Sequence, residues 1–298
     1  MLDYDSLYAM ATVIHEGSFE RAARVLSVTP SAVSQRIRLL EEKVGCALVV
    51  RGQPCLPTAM GRRLCQHIDR VRLLEQELRD TLPNLAAEDA IRVSLPVAVN
   101  ADSLAVWFAQ AIADFSATAP VLMDVAVDDQ EYTAEWLRNG TVLAAVTASD
   151  RPAAGCNVHA LGAMRYLATA SPAFARRYFS EGVNAETLRR APSLLFNNKD
   201  ELQLQWAYRH CGRHTELPRH SLPSTHAFIT ATLAGMGWGM NPEALIAPYL
   251  ENGSLVELVP GTALDVPLFW QYARASSALL EGLTRRILAS ARDSLLQA

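Results

Sequence analysis

The 298-residue chain is short of the features that mark membrane proteins, secreted proteins and most enzymes. It holds no run of eighteen apolar residues, so no membrane span and no membrane partner are expected. Its opening, MLDYDSLYAM, carries Asp3 and Asp5 where a secretory signal would place Lys or Arg, and the expected location is the cytoplasm. Five cysteines (Cys46, Cys55, Cys65, Cys156 and Cys211) are odd in number, scattered and without a C-x-x-C pair, which argues against a disulfide framework and against a zinc site. No Ser-His-Asp spacing, metal cluster or phosphate-cradling loop stands out, and Gly237-Trp238-Gly239 is too short and too apolar for a dinucleotide fingerprint. The expectation is a protein that is not an enzyme, with no catalytic residue, no metal and no cofactor.

What is present starts with apolar content. Half of the residues are hydrophobic, enough to bury a large core in one to three globular domains. The formal charge of −4 is unevenly spread: from Gly17 to Arg72 ten Lys or Arg face four acids, a local +6 that leaves −10 for the remainder. Only that early stretch suits a polyanion.

The same stretch reads as three short helices. Leu7, Met10, Ala11 and Ile14 recur at helical spacing before His15-Glu16-Gly17, giving a first helix over about 3–16. Ser18 can cap a second helix with Phe19, Ala22, Ala23 and Leu26 on its inner stripe, although Arg21 stands where a capping box would want Glu. Thr29 is a good N-cap for a third, and Pro30 occupies the first helical position, where a missing N–H costs nothing. In that third helix Val33, Ile37, Leu40 and Val44 share one arc, while Ser31, Ser34, Gln35 and Arg38 lie nearly opposite. Arg36 falls on the flank and ranks below Arg38 as a base reader.

A helix whose exposed face begins with small hydroxyls and continues with an amide and a guanidinium fits a major groove. Its N-terminus can meet a phosphate, the serines allow close approach, and Gln35 or Arg38 can pair with base edges. The alternative is the solvated face of an ordinary bundle; three helices, the turn and the local charge together favour double-stranded DNA. Ala47–Arg51 and Cys55–Pro57 around Gly52-Gln53-Pro54 predict a small antiparallel wing with Arg51 near the phosphates. The expected DNA-contacting set is Thr29, Pro30, Ser31, Ser34, Gln35, Arg38 and Arg51. From Thr58 a longer helix carries Leu64, Val71 and Leu78 seven apart, with Ile68, Leu74 and Leu82 beside them, Glu75 interrupting and Pro83 ending it. That seam predicts a dimer, with packing on its own domain as the alternative.

Through Ser18, Ala22-Ala23, Leu26, the run Thr29 to Ser34, Ile37, Leu40-Glu41, Gly45, Leu48, Arg51, Pro57-Thr58 and Gly61, residues 1–82 resemble the winged helix-turn-helix and linker helix of LysR-type transcriptional regulators. Val49 stands where the family usually has Phe. The resemblance implies an α/β multidomain chain: a winged helix-turn-helix at 1–58, a dimerising linker helix at 59–89, and a two-lobed, periplasmic-binding-protein-like (type 2) effector domain at 90–298. One lobe would comprise about 90–161 with 267–298, the other about 162–266. The residues themselves agree, since strand-like Ile91–Leu95, Val121–Val127 and Val142–Thr147 alternate with helical stretches near 103–117 and 131–139, a pattern of mainly parallel sheets.

Three loops are placed to line a cleft between lobes. Asn100, Asp102 and Ser103 open a helix after a strand, Asp128 and Asp129 end the next strand, and Thr225 and His226 open a helix in the other lobe. Helix capping and solvated acids are the competing readings. The stretches NADSLAVW, VDDQEYTAEWLRNGTVLAAV and LGAMRYLATASPAFARRYF resemble the ArgP/LysG/IciA group, which responds to lysine or arginine and typically controls basic amino acid export or metabolism. That resemblance implies a lysine or arginine effector, a dimer of dimers, and RNA polymerase as a partner left open. It adds Asn197 to the candidate effector residues. Asn197 and His226 stand where the group tends to have acids, which leaves open another amino acid or metabolite as effector, and an origin-binding or architectural role on DNA as the runner-up.

Overall fold

The computed structural model describes residues 3–81, 93–119, 121–127, 136–137, 141–274 and 278–297. The head comprises α1 (Tyr4–Glu16), α2 (Phe19–Val25), α3 (Pro30–Val44), β1 (Val49–Val50), β2 (Leu56–Pro57) and α4 (Ala59–Thr81). Local chemistry sets these boundaries. Asp3 caps α1 by accepting from the Ser6 amide, Thr29 caps α3 by accepting from the Ala32 amide, and Pro30 takes the first helical position. Gly17 and Gly45 end α1 and α3 at φ of 65° and 82°, in the left-handed region that favours glycine.

Behind these helices Leu7, Met10, Val13, Ala22, Ala23, Val33, Ile37, Leu40 and Leu48 form one buried cluster. The wing pairs antiparallel, Val49 with Pro57 and Val50 with Leu56. Glu41 ties α3 to it, its Oε1 accepting from the amides of Leu48 (2.8 Å) and Val49 (3.3 Å). Gly61 lets α4 start against the wing, because a Cβ there would stand 2.0 Å from the Leu48 carbonyl oxygen.

The apolar repeat of α4 divides between two surfaces, which corrects the single seam expected from sequence. Ile68 is fully buried in the head cluster, with Leu64 and Cys65 packed beside it. Tyr8 of α1 donates to Glu75 (3.1 Å), and the Arg72 guanidinium lies over the Tyr8 ring at 5.0 Å. The first turns of α4 therefore serve the head, because α1 leaves an apolar stripe that they cover. Leu74 and Leu78 remain exposed, at 61% and 55%. Leu82 and Pro83 lie outside the described residues.

Beyond the linker come β3 (Val93–Val99), α5 (Ala101–Ser103) running through a π-helical turn (Leu104–Phe108) into α6 (Ala109–Ser116), β4 (Val121–Val127), β5 (Ala144–Thr147) and the fifteen-residue β6 (Cys156–Ala170). The chain continues as α7 (Pro172–Tyr178), α8 (Ala185–Arg190), β7 (Ser193–Leu195), α9 (Leu202–Cys211), β8 (Arg219–Ser221), α10 (Thr225–Leu233), β9 (Gly239–Pro242), α11 (Glu243–Glu251), β10 (Val256–Glu257), β11 (Leu264–Ala273) and α12 (Ala278–Ser294). Of the helix expected near 131–139, only Trp136 and Leu137 are described, both helical. No described helix is long and apolar enough to cross a membrane.

The main sheet runs β10-β6-β11-β5-β3-β4, with β9 also on β6. Parallel pairing holds for β4-β3-β5 and for the small β7-β8 sheet, while β6 pairs antiparallel with β9, β10 and β11, and β11 antiparallel with β5. The parallel pairing expected of the strands near 91–95, 121–127 and 142–147 is present, and the sheet as a whole is mixed because β6 and β11 run antiparallel to each other and join its two halves. Trp107, Phe108, Tyr166, Trp206, Trp238 and Trp270 are all buried in the core that spans both lobes. The Trp270 indole donates to Thr284 Oγ1 at 3.0 Å and the Trp206 indole to Thr262 Oγ1 at 3.0 Å, while the buried indole nitrogens of Trp107 and Trp238 have no hydrogen-bond partner.

Candidate functional site

On α3 the buried and exposed arcs fall where the periodicity places them. Val33, Ile37 and Leu40 are buried. Ser31, Gln35 and Arg38 are exposed, and Ser34 and Arg36 half-buried. The Thr29 hydroxyl caps the helix (3.2 Å from the Ala32 amide) and lies 3.0 Å from Ser31 Oγ, so the two hydroxyls and Pro30 sit together at the helix start. Arg38 is held loosely, its Nε 3.6 Å from Glu42 with both side chains mostly exposed, so the guanidinium is available to another acceptor. Arg51, at the edge of the wing, lies over the Phe19 ring at 5.3 Å. That cation–π contact braces the wing against α2 while the residue stays exposed.

A second constellation forms around Asp102. Asp102, in α5, accepts from the Thr225 hydroxyl at Oδ1 and from the Tyr166 hydroxyl at Oδ2, both at 2.8 Å. Thr225 opens α10 and Tyr166 lies on β6, so one carboxylate joins α5, α10 and β6. Burial pushes the Asp102 carboxyl above its ordinary 3.8, and the two hydroxyls oppose that shift. Asp200 is likewise raised by burial, against the lowering effect of the Phe196 and Leu202 amides that it accepts at 2.9 and 3.1 Å. Burial, reinforced by Asp102 and to a lesser degree by Asp200, disfavours ionisation of the Tyr166 phenol.

Among the described residues eight buried side-chain polar atoms have no hydrogen-bond partner, and three of them, Asn100 Oδ1, Ser103 Oγ and Trp107 Nε1, come from the stretch that holds Asp102. Asn100 stands at the N-cap of α5 without capping it, and the π-helical turn follows immediately. Orphaned buried polar atoms carry a desolvation cost that a ligand can relieve, and π turns recur at functional sites.

The other expected residues distribute as follows. Asn197 Oδ1 accepts from the Lys199 amide at 2.8 Å, in the loop that leads to Asp200. Ser224 caps α10, and His226 is exposed with its carbonyl accepting from Thr230. Asp128 and Asp129 lie outside the described residues. Tyr166 and Asp200 were not among the expected residues; Tyr166 sits in a largely apolar strand, while the polar run Phe196-Asn197-Asn198-Lys199-Asp200 drew attention to Asn197 and holds Asp200 as well.

Comparison with known proteins decides the family. Residues 4–62 match the bacterial regulatory helix-turn-helix proteins of the lysR family, and residues 89–293 match the LysR substrate binding domain. The chain belongs to the LysR family. Among curated relatives, the transcriptional regulator ArgP of Pseudomonas fluorescens (strain Pf0-1) is 45% identical over 295 residues, 99% of each chain. A crystal structure of ArgP from Mycobacterium tuberculosis is 41% identical with a TM-score of 0.81, covering 100% of both chains. Full-length LysG from Corynebacterium glutamicum, solved with bound effector Arg, is 33% identical with a TM-score of 0.68, covering 99% of this chain and all of that one. In this LysR-family chain the helix-turn-helix match holds the outward arc of α3, and the substrate-binding match holds Asp102, Tyr166, Asp200 and Thr225.

Proposed function

We propose that this LysR-family protein is a cytoplasmic transcriptional regulator rather than an enzyme. It binds promoter DNA through α3 and the wing, and its DNA binding is modulated by a basic amino acid, arginine or lysine, in the cleft between lobes. The observation that carries the DNA-binding reading is the outward arc of α3: Ser31, Gln35 and Arg38 are exposed while Val33, Ile37 and Leu40 are buried behind them. Pro30 and Thr29 place the helix start at a phosphate, Gln35 and Arg38 read base edges, and Arg51 adds a wing contact.

Support for the effector reading comes from the half-buried acids Asp102 and Asp200, from the orphaned atoms of Asn100 and Ser103, and from the arginine that the LysG relative carries. The division into a DNA-binding head (1–58), a linker helix (59–89) and an effector domain (90–298) belongs to the same proposal. So do Asn197, Asp128, Asp129 and His226 as further cleft residues, and a dimer of dimers in which Leu74 and Leu78 pair with a second linker helix. RNA polymerase is a partner at promoters where the bound tetramer activates, and amino acid export or metabolism is the process controlled.

A ligand shifts DNA binding only if it favours one lobe arrangement over another. In this reading the Thr225 hydroxyl is bonded to Asp102 in one arrangement, the one seen here, and released in the other. Thermal unfolding with arginine, lysine and the uncharged analogue citrulline tests the effector. A native-state binder at a hundredfold excess over its Kd adds about 2.7 kcal/mol of stability. Arginine or lysine is expected to raise the Tm and citrulline to leave it unchanged; no rise with either basic amino acid contradicts the effector reading.

A further inference from the structure

The strand β6 is continuous through both lobes, yet it is irregular at one point. Its register with β11 pairs Gly162 with Leu268 and Ala160 with Phe269, so Leu161 is an extra residue with no β11 partner. Such a bulge bends a strand and sharpens its twist. The next residue, Gly162, has φ of +115°, a conformation that L side chains avoid. Hinges of two-lobed domains are a few residues of this kind, able to absorb backbone rotation.

The end of the chain is stitched to this same point. After α12 stops at Ser294, Leu296 forms an antiparallel bridge with Ala163: the Ala163 amide donates to the Leu296 carbonyl (2.9 Å) and the Leu296 amide donates back (3.0 Å). The Gln297 side-chain amide nitrogen lies within reach of three carbonyls, those of Leu295 (3.1 Å), Leu161 (3.2 Å) and Ala291 (3.3 Å). The carbonyl of the bulged residue and the last turn of α12 therefore share one donor. Gly162 is needed for this approach, because a Cβ there would stand 2.5 Å from the Leu296 carbonyl oxygen and 2.8 Å from Gln297 Nε2. Leu295 is buried beneath the bridge, so the tail is anchored on the first-lobe core.

We infer that Leu296 and Gln297 are positioning residues that clasp the β6 hinge and set the lobe geometry through which the effector acts on DNA. The clasp links α12 of the first lobe to the strand at the place where it enters the second. Rotation about Leu161-Gly162 then has to carry or break the bonds to the tail. The inference rests on the effector reading above for its functional consequence, and on the hinge geometry alone for its structural one.

Full-length variants separate the two. Gln297→Glu places an acceptor against three carbonyls, Gln297→Ala removes the donor, and Gln297→Lys restores one. The arginine or lysine concentration that half-saturates the change in operator binding is expected to move about tenfold in Gln297→Glu, about threefold in Gln297→Ala and little in Gln297→Lys. Operator affinity without effector and the Tm should stay near wild type throughout. Dose-response curves that superimpose across the series, or that track the Tm alone, overturn the functional consequence. Hydrogen exchange serves as the second readout. Ending the chain after Leu295 is expected to speed exchange of the Ala163 amide by an order of magnitude or more, since its acceptor is gone, and unchanged exchange overturns the clasp itself. If wild type binds neither basic amino acid, the effector reading fails while the exchange result still decides the clasp.

Discussion

The head and the cleft solve opposite problems with side chains of the same kind. On α3, polar groups are spaced within one helix, point outward and have little to do with their own protein; Arg38 holds only a loose 3.6 Å pair with Glu42. Around Asp102, polar groups come from far apart and are spent on one another: its carboxylate accepts from Tyr166 and Thr225, 64 and 123 residues away. A DNA-reading face has to be available to its partner before the partner arrives. A switch has to hold alternative bonds that its ligand can replace. The difference predicts that damage to the head acts on DNA affinity or head stability, while damage to the cleft acts on the effector response.

The sharpest way to separate the two regions is Gly61→Ala. Its Cβ would meet the Leu48 carbonyl at 2.0 Å, backbone against backbone, so a cost of about 3 kcal/mol to the head is expected. Denaturation followed by separate probes should show the head melting early while arginine binding in the cleft persists. Loss of both together would mean that the regions are not independent. Arg38→Ala comes next, with operator affinity falling by about 1–3 kcal/mol and sequence preference relaxing. Competition binding on operator and random DNA checks it; an equal loss on both assigns Arg38 to phosphate instead. Thr29→Ala removes the α3 cap and should cost about 1 kcal/mol of head stability, read by urea unfolding.

In the cleft, acid is the probe. Burial raises Asp102 and Asp200 above 3.8, and only the ionised forms pair with a cation. Arginine affinity should therefore hold near neutral pH and weaken as pH falls through their raised range, by up to about one decade per pH unit for each group that takes up a proton. For folding itself the sign is reversed: an acid raised in the native state makes its stabilising contribution at low pH, and this is lost as pH rises from the unfolded value through the folded one. Calorimetry at several pH values measures the first effect, and a flat affinity removes these acids from the site. The smallest effect belongs to the exposed Arg165–Asp265 pair across β6 and β11, bonded at 2.8 and 2.9 Å. Asp265→Ala should scarcely move the Tm, because water screens the pair.

The comparison also explains what could be read from the sequence. Thr29-Pro30, Gly17 and the i, i+4, i+7 spacing of Val33, Ile37 and Leu40 are local signals, and every boundary they imply in the head lies within a residue or two of the structure. The cleft loop Asn100–Ser103 was legible as a helix opening after a strand. Its partners were not, because the meeting of Asp102 with Tyr166 and Thr225 depends on how β6 returns and where α10 packs, which no spacing records. The antiparallel half of the sheet escaped for the same reason, since strand alternation does not reveal that β6 and β11 are crossing strands. The α4 repeat misled in part because periodicity marks which face is apolar without saying what covers it.

The central claim is that the cleft and the reading helix are coupled. Measuring operator affinity with and without saturating arginine, and arginine affinity with and without operator, closes a thermodynamic cycle. The account predicts the same factor on both arms, about 5- to 150-fold for a coupling of about 1–3 kcal/mol. A factor of one, with arginine bound and operator bound, would contradict it.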